Sequence, residues 1–229
     1  MPKAIKKRTE KKALDTEAEV KERLSSLQDT LRERKKTALQ IVAGVLVIII
    51  AVTGFFLYSS SAKKKAKDYE YQAYKIFNSI TPMQNGNSGD RYKKALEMYQ
   101  KAYDTRNSPV SLYYIASCYY ELGKYDDAVK TLKDFTQKYS GEQKLIPLVY
   151  QKMAMVYIRK GDVKDALNVL DTLYKLPGDI FKDIALMETG KLLERQGKAD
   201  EAKKKYEELL KKFPDSPFKD EAAAKIAGK

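Results

Sequence analysis

The sequence predicts an all-α protein, a right-handed α-solenoid of helical hairpins preceded by a single transmembrane helix. Three observations lead to this fold class. An uncharged apolar stretch occupies residues 38–58. Behind it, a phrase with glycine and alanine at fixed positions recurs at a nearly constant interval. Within each copy, the apolar residues follow the 3.6-residue period of an α-helix.

The apolar stretch, Ala38 to Tyr58, reads ALQIVAGVLVIIIAVTGFFLY, with Gln40 and Thr53 as its polar interruptions. A helix of this length can cross a hydrocarbon core of about 30 Å. Its Leu, Ile, Val and Phe residues each favour insertion into a bilayer. The alternative is a buried helix in a soluble core, but such cores rarely hold so long a helix that is apolar all round. We therefore predict a transmembrane helix at 38–58, in contact with the lipid bilayer.

A cleaved signal peptide is a second interpretation of this stretch, because Ser60 and Ala62 fit a small-residue cleavage site. Signal peptides have a short basic start and an apolar run of about 7–15 residues. Here the run is longer, and residues 1–37 precede it. Cys118 lies too far downstream to carry an N-terminal lipid. We expect the helix itself to anchor the protein.

Residues 1–37 form a basic arm that carries 12 Lys or Arg against 7 Asp or Glu. Short flanking segments of this kind stay in the cytoplasm, whereas long domains translocate largely regardless of charge. We therefore expect a cytoplasmic N-terminus and an extracytoplasmic C-terminal domain. Lysines also follow the span, and they oppose this asymmetry: Lys63, Lys64, Lys65 and Lys67. A linker is expected at 59–66.

Within the arm, Val20, Leu24, Leu27 and Leu31 fall on one face of a predicted amphipathic helix. Because basic residues adjoin it, this helix can lie on anionic lipid headgroups or pair with a partner. A helix that simply continues the span and is solvated on most sides is the third interpretation. The arm sequence leaves these three interpretations open.

Behind the arm and the span, the chain carries 32 basic and 24 acidic residues, and their charges are spread along the sequence. Spread charges are typical of a solvated surface. Nucleic-acid binding requires a clustered basic stripe with stacking aromatics or a known motif, so we expect no nucleic-acid partner. A single cysteine allows no intramolecular disulfide.

The recurring phrase reads ELGKYDDAVKTL at 121–132, RKGDVKDALNVL at 159–170 and RQGKADEAKKKY at 195–206. Each copy has a glycine followed five residues later by an alanine, and the pairs are Gly123 with Ala128, Gly161 with Ala166, and Gly197 with Ala202. An earlier copy at 90–103 has Ala95 without the glycine. Such a period indicates a solenoid of stacked hairpins.

Each copy fits two antiparallel helices, because glycine permits the left-handed conformation that ends the first helix. A small alanine then lets the second helix pack closely. Ser108-Pro109 and Ser216-Pro217 each place a capping serine before a proline at the first helical position. We predict hairpins at about 67–106, 109–140, 146–176 and 181–213, with a capping helix at 217–227. The repeat domain as a whole is predicted at 67–229.

These residues strongly resemble the tetratricopeptide repeat, which has a small residue and an aromatic in helix A, a glycine at the turn and an alanine in helix B. The matching positions are Ala116, Tyr119, Gly123, Tyr125, Ala128, Ala154, Tyr157, Gly161, Ala166, Gly190, Gly197, Ala202 and Pro214. The whole layout, and the phrase at 167–202, also resemble the YfgM-like ancillary subunits of the SecYEG translocon. That resemblance implies a bacterial inner membrane, a periplasmic repeat domain, and the Sec translocon and periplasmic chaperones as partners.

Catalytic chemistry is not indicated by the sequence. Histidine, the commonest general base and metal ligand, is absent. No phosphate-binding loop, nucleophile elbow, paired cysteine motif or metal-spaced carboxylate cluster occurs. Cys118 lies between apolar neighbours on a predicted helix, which is typical of a packed core thiol. We therefore expect no enzyme, no cofactor and no metal.

A stack of such hairpins has a concave surface lined by the exposed edge of each first helix. The repeat alignment gives the groove positions Val110, Tyr113, Ser117, Tyr120, Leu148, Gln151, Met155, Ile158, Ile184, Met187, Lys191 and Glu194. The first two sets of four are more apolar than charged. An extended or helical apolar protein segment is the expected ligand, held by adaptable Met and Tyr side chains. Packing between hairpins is the alternative role for each position taken singly.

Three functions remain open at this point. The first is a membrane-tethered, non-catalytic scaffold that binds exported or envelope proteins beside the Sec translocon. The second is an adaptor in envelope or cell-division assembly, which self-associates or binds wall enzymes. The third, from a different class, is an enzyme or redox protein that uses Cys118.

Overall fold

The computed structural model describes residues 17–78 and 88–228, and the secondary-structure elements within them are all α-helices. These are α1 (Glu17–Phe77), α2 (Ser88–Thr105), α3 (Pro109–Glu121), α4 (Tyr125–Lys138), α5 (Ile146–Lys160), α6 (Val163–Lys175), α7 (Lys182–Arg195), α8 (Ala199–Lys212) and α9 (Lys219–Ile226). The predicted all-α class is confirmed. Residues 1–16, the first part of the predicted arm, and residues 79–87, within the predicted first hairpin, lie outside the described residues.

The chain divides into two compact units, residues 1–59 and residues 60–229. In the first unit, the described residues belong to α1, and the predicted span at 38–58 is helical throughout. Its apolar side chains face outward: Ile50 is 70% and Phe56 is 75% exposed. The Thr53 hydroxyl donates to the Ile49 carbonyl at 2.7 Å, so this polar group is satisfied within the helix. Among the described residues, α1 is the one helix long and apolar enough to cross a membrane.

Two further segments of α1 were named from the sequence. The arm residues Val20, Leu24 and Leu27 are helical and exposed. Residues 59–66, predicted as a linker, are helical.

The second unit is a succession of helical hairpins. α3 pairs with α4, α5 with α6, and α7 with α8, while α4 packs on α5 and α6 on α7. At the two ends of this stack, α2 packs on α3 and α9 packs on α8. Each hairpin reverses at the glycine that the sequence indicated: Gly123, Gly161 and Gly197 have φ angles of 71°, 85° and 76°. These angles are in the left-handed region, where a side chain is strained.

The core follows the predicted helical period. Leu112 and Ala116 of α3 are buried, as are Ala128, Leu132 and Phe135 of α4. They belong to one apolar cluster that continues through α5 and α6 to Ala185 and Leu192 of α7. Smaller clusters join α7, α8 and α9 at one end and α1, α2 and α3 at the other. Each hairpin therefore buries its apolar faces against its neighbours, as a solenoid requires.

One predicted helix start is confirmed and the other is wrong. Ser108 caps α3, because its hydroxyl accepts from the Ser111 backbone N–H at 3.4 Å and Pro109 occupies the first turn. Ser216-Pro217 does not start α9, which begins two residues later at Lys219. The Ser216 hydroxyl instead donates to Asp183 of α7 at 2.7 Å and accepts from the Phe218 N–H at 3.2 Å. This serine thus ties the turn to α7.

Candidate functional site

Eight of the predicted groove positions lie on α3 and α5, and we call the exposed and half-buried members of this set the α3–α5 groove. Val110 on α3 is 39% exposed and Met155 on α5 is 37% exposed, unusual values for large apolar side chains in this domain. The other members are half-buried: Tyr113, Tyr120, Leu148, Gln151 and Ile158. Partly exposed Tyr, Met, Leu and Ile side chains offer apolar contact area and require few hydrogen bonds from a ligand.

Ser117 and Met187 do not belong to an exposed groove, and here the prediction from the repeat alignment is corrected. Ser117 is 2% exposed, and its hydroxyl donates to the Tyr113 carbonyl one turn earlier at 3.1 Å. Met187 is fully buried in the apolar cluster that joins α7, α8 and α9. Both side chains are covered by neighbouring helices, so neither can meet a ligand directly.

The α7 positions are engaged by the final helix. Lys191 Nζ lies 2.9 Å from Glu221 Oε1 of α9 and 3.4 Å from Glu188 of α7. Glu194 Oε2 lies 2.7 Å from Lys225 Nζ of α9. Ile184 is half-buried. Two of the four predicted α7 positions are therefore occupied by ion pairs within the chain, and the open apolar part of the groove lies on α3 and α5.

Two basic residues that the alignment did not select also border this groove. Lys152 of α5 lies over the ring of Tyr120, with its Nζ 5.0 Å from the ring centroid. Arg159, two helical turns further along α5, donates from Nε to the Tyr120 hydroxyl at 3.2 Å. Burial lowers the pKa of Lys152, and the nearby Glu121 carboxylate opposes this shift. The hydrogen bond to Tyr120 raises the pKa of Arg159.

Aromatic side chains extend this surface toward the first hairpin. Tyr74 of α1, 43% exposed, meets the ring of Tyr114 of α3 edge-on, with the centroids 6.3 Å apart. Tyr114 also stacks on the buried Tyr99 of α2 at 4.8 Å, with the ring planes 5° apart. Tyr114 was not among the predicted groove positions. Its signal in the sequence was the run of two tyrosines at 113–114, of which the repeat alignment selected the first.

The Glu70 carboxylate holds the end of the groove where α3 begins. Glu70 Oε1 of α1 accepts hydrogen bonds from the hydroxyls of Ser108, at 2.7 Å, and Ser111, at 2.6 Å. Ser108 is also the N-cap of α3. The final turns of α1 are thus fastened to the first turn of α3, and this fixes the helix that supplies Val110 and Tyr113.

Cys118 and groups of metal-ligating side chains are the candidates for catalytic chemistry. Cys118 is fully buried, and burial raises the pKa of its thiol to about 12. A thiol that stays protonated is a poor nucleophile. Across residues 17–78 and 88–228, no group of three His, Cys, Asp or Glu side chains is placed to hold a metal ion.

Comparison with known proteins agrees with the hairpin architecture. Residues 35–226 match the family described as the tetratricopeptide repeat-like domain. A curated relative, the heat shock protein sti1 homolog of Schizosaccharomyces pombe, is 30% identical over 139 residues. That match covers 53% of this chain and 23% of the relative, so the chain spans under a quarter of that protein's length.

Solved structures share the fold at low sequence identity. A putative kinesin light chain of Podosopora anserina with nearly identical TPR-like repeats superposes with a TM-score of 0.56 at 13% identity, covering 72% of this chain and 85% of that one. YrrB, described as a TPR protein with an unusual peptide-binding site, gives 0.51 at 16% identity, covering 75% and 80%. The family match extends over most of the chain and over the hairpins described above, and the protein therefore belongs to the tetratricopeptide repeat-like domain family.

Proposed function

We propose that this protein is a membrane-anchored, non-catalytic scaffold that holds segments of other proteins in the α3–α5 groove. Tetratricopeptide repeats are interaction scaffolds, and their fold is typically non-catalytic. One observation supports this groove as the binding surface. The apolar side chains of Val110 and Met155 stay exposed on adjacent first helices, whereas two of the corresponding α7 positions are paired with α9.

An extended or helical apolar segment fits this surface best. Met and Tyr side chains adapt to different partners, since Met has three rotatable bonds and Tyr combines an apolar ring with a polar tip. A peptide that lies along the groove meets α3 and α5 in turn. The neighbour described as having an unusual peptide-binding site supports a peptide ligand by analogy of fold alone.

The anchor in this proposal is the 38–58 segment of α1. Its exposed apolar side chains require an apolar environment, which a bilayer supplies. Because basic residues outnumber acidic ones in residues 1–37, the N-terminus is assigned to the cytoplasm and the repeat domain to the extracytoplasmic side. In a bacterium, this corresponds to the inner membrane and the periplasm.

Tethering has a consequence for affinity. Only residues 59–66 separate the span from the predicted start of the repeat domain. A short tether confines the groove near the bilayer, where effective concentrations reach about the millimolar range. Weak binding therefore suffices for a chain that emerges from the membrane close by.

The partners we propose are exported chains at the Sec translocon and the chaperones that receive them. The resemblance of 167–202 to YfgM-like translocon subunits supports the translocon. The relative named heat shock protein sti1 homolog supports a link to chaperones. In this role, the scaffold holds an emerging segment briefly and passes it on, without catalysis.

Two experiments test the proposal. A reporter that is active only outside the cytoplasm, fused after Lys229, should be active, and a silent reporter would refute the assigned orientation.

Crosslinked membranes should yield translocon subunits or chaperones together with the full-length protein. A Val110→Arg/Met155→Arg variant should lose them, because two charges would occupy the apolar groove. The matched control Gln137→Arg/Asn168→Arg adds the same charge at exposed positions of α4 and α6 and should retain them.

A further inference from the structure

We propose that a cluster of lysines directly behind the apolar stretch binds the headgroups of anionic phospholipids. The members of this lysine cluster are Lys63, Lys64, Lys65 and Lys67. They lie on α1 within the second unit, residues 60–229, and none of them belongs to the α3–α5 groove. The inference rests on the membrane anchor of the proposed function, and it adds a specificity for the charge of the surrounding lipid.

The lysine cluster is a local excess of positive charge. Residues 59–67 read SSSAKKKAK, with four lysines and no acidic residue. A second lysine triplet, at 203–205, differs in this respect, because Glu201 and Glu207 lie within two residues of it in the sequence. The charge of that triplet is balanced locally, whereas the charge of the lysine cluster is not.

The four ammonium groups are also free of partners within the protein. All four side chains are exposed. Among the described residues, none of them has a carboxylate within 4.0 Å, whereas Lys160 and Lys212 each pair with an acid. The two acids that follow the cluster do not neutralise it. Asp68 is exposed and forms no ion pair with it, and Glu70 accepts hydrogen bonds from two serines of the second hairpin.

The cluster occupies the side of α1 that the repeat domain leaves uncovered. Ala66, between the lysines, is 4% exposed, and Ala73, two turns later, is fully buried. These small residues mark the side of α1 that packs against the first hairpin. Successive helical residues are rotated by about 100°, so the lysines on either side of Ala66 are distributed around the remaining surface.

Like charges along this helix favour binding of an anion. Lys63 and Lys67 are four residues apart and therefore lie next to each other on one face. Two charges of the same sign at this spacing destabilise a helix. An anionic group that contacts both ammonium groups removes this repulsion, which gives the cluster more to gain from an anion than isolated lysines have.

The position of the cluster in the chain indicates the anion. Tyr58, 75% exposed, ends the apolar stretch, and tyrosine is typical of the membrane–water interface. Lys63 follows Tyr58 by five residues, so the chain itself keeps the cluster near the headgroups of the leaflet where the span ends. A lysine ammonium is a compact charge suited to phosphate, and its apolar stem can lie along lipid. Anionic phospholipid is therefore the proposed ligand.

The test measures lipid preference in the full chain. The protein in a neutral detergent is titrated with phosphatidylglycerol or with phosphatidylcholine of identical acyl chains, and native mass spectrometry gives the affinity for each lipid. The test variant carries Lys63→Gln, Lys64→Gln, Lys65→Gln and Lys67→Gln. Glutamine and lysine have similar helix propensities, so the helix should persist. A second variant with arginine at the same four positions keeps the charge.

A matched control removes the same charge elsewhere in the repeat domain. Its substitutions are at exposed positions of α4 and α8: Lys130→Gln, Lys133→Gln, Lys203→Gln and Lys204→Gln. A lysine beside an anionic surface strengthens binding by roughly five-fold. We therefore expect the preference of the wild type for phosphatidylglycerol to fall about five- to twenty-fold in the glutamine variant. The control and the arginine variant should keep it, and salt should reduce it in all three.

The outcomes separate this inference from the proposed function. If the glutamine variant prefers phosphatidylglycerol as strongly as the wild type does, the inference is wrong. If it keeps that preference but loses proteins from crosslinked membranes, the lysines bind an acidic protein instead, and the inference is again wrong while the scaffold proposal stands. Carbonate extraction tests the anchor itself: both proteins should remain in the membrane, and release of the wild type would refute the anchor and this inference together.

Discussion

Gly190 of α7 lies directly against the ring of Tyr206 of α8, so close that a Cβ on Gly190 would be 2.4 Å from Tyr206 Cε1. Both residues are buried, and the contact belongs to the last hairpin. The repeat pattern placed a small residue here, and the structure explains why even alanine is too large. The ring of Tyr206 fills the space that a side chain would need.

Gly190→Ala should therefore destabilise the repeat domain. Overpacking of this kind costs about 1–3 kcal/mol, partly offset by the higher helix propensity of alanine. Gly141→Ala is the control, because a Cβ there meets nothing within 4 Å. Urea denaturation followed by circular dichroism measures both changes. Equal stabilities for the two variants would show that Tyr206 moves away without cost.

A second prediction concerns the ion pair that links α7 to α9. Lys225→Glu should weaken the attachment of α9, since it places two acids opposite each other at a contact of 2.7 Å. The two side chains are 35% and 32% exposed, so solvent screening limits the loss to about 1 kcal/mol. Adding Glu194→Lys should restore most of it, because the pair is then reversed. A double variant no more stable than Lys225→Glu in thermal unfolding would contradict this pairing.

A third prediction concerns the junction of α1 with α3. Glu70→Ala removes the acceptor for the hydroxyls of Ser108 and Ser111, and we expect a loss of about 1–2 kcal/mol in the free energy of unfolding. Glu97→Ala, at an exposed position of α2, is the control and should be nearly neutral. Hydrogen exchange should also rise in the first turn of α3. Unchanged exchange there would mean that the cap of α3 does not depend on Glu70.

A fourth prediction concerns the buried thiol. Because burial raises the pKa of Cys118 from 9.0 to about 12, iodoacetamide should label the folded protein far more slowly than the urea-unfolded protein. The raised pKa also means that the thiol's contribution to stability is complete below about pH 9 and is lost as pH rises toward about 12. Cys118→Ala should lack this part of the alkaline loss. Rapid labelling of the native state would show an accessible, reactive cysteine instead.

The sequence predicted best those features that depend on local chemistry. The turn glycines 123, 161 and 197 were found because a left-handed backbone favours glycine wherever it occurs. The helices and their buried faces were found because the apolar period of a helix is read within a few turns. The start of α9 was missed because Ser216 bonds to Asp183, a partner 33 residues away that no local pattern reveals.

The groove was predicted only in part, for a related reason. The repeat alignment selected positions by register, and register does not show what covers them. Ser117 and Met187 are buried by neighbouring helices, and Lys191 is paired with Glu221 of α9. In contrast, Lys152 lies next to a selected position and reaches the groove because its side chain is long. Contacts between neighbouring hairpins determine which groove positions are exposed, and the sequence of a single repeat does not reveal those contacts.

Site-specific photocrosslinking in membranes shows directly whether the α3–α5 groove binds segments of other proteins. A photoreactive amino acid is placed at Met155 in the groove or at Lys133 on α4, in the full chain in native membranes, and adducts are resolved by electrophoresis and mass spectrometry. We expect protein adducts from position 155 and few from position 133. Adducts at 155 that contain only lipid, or equal protein adducts at both positions, would show that the groove does not hold protein segments.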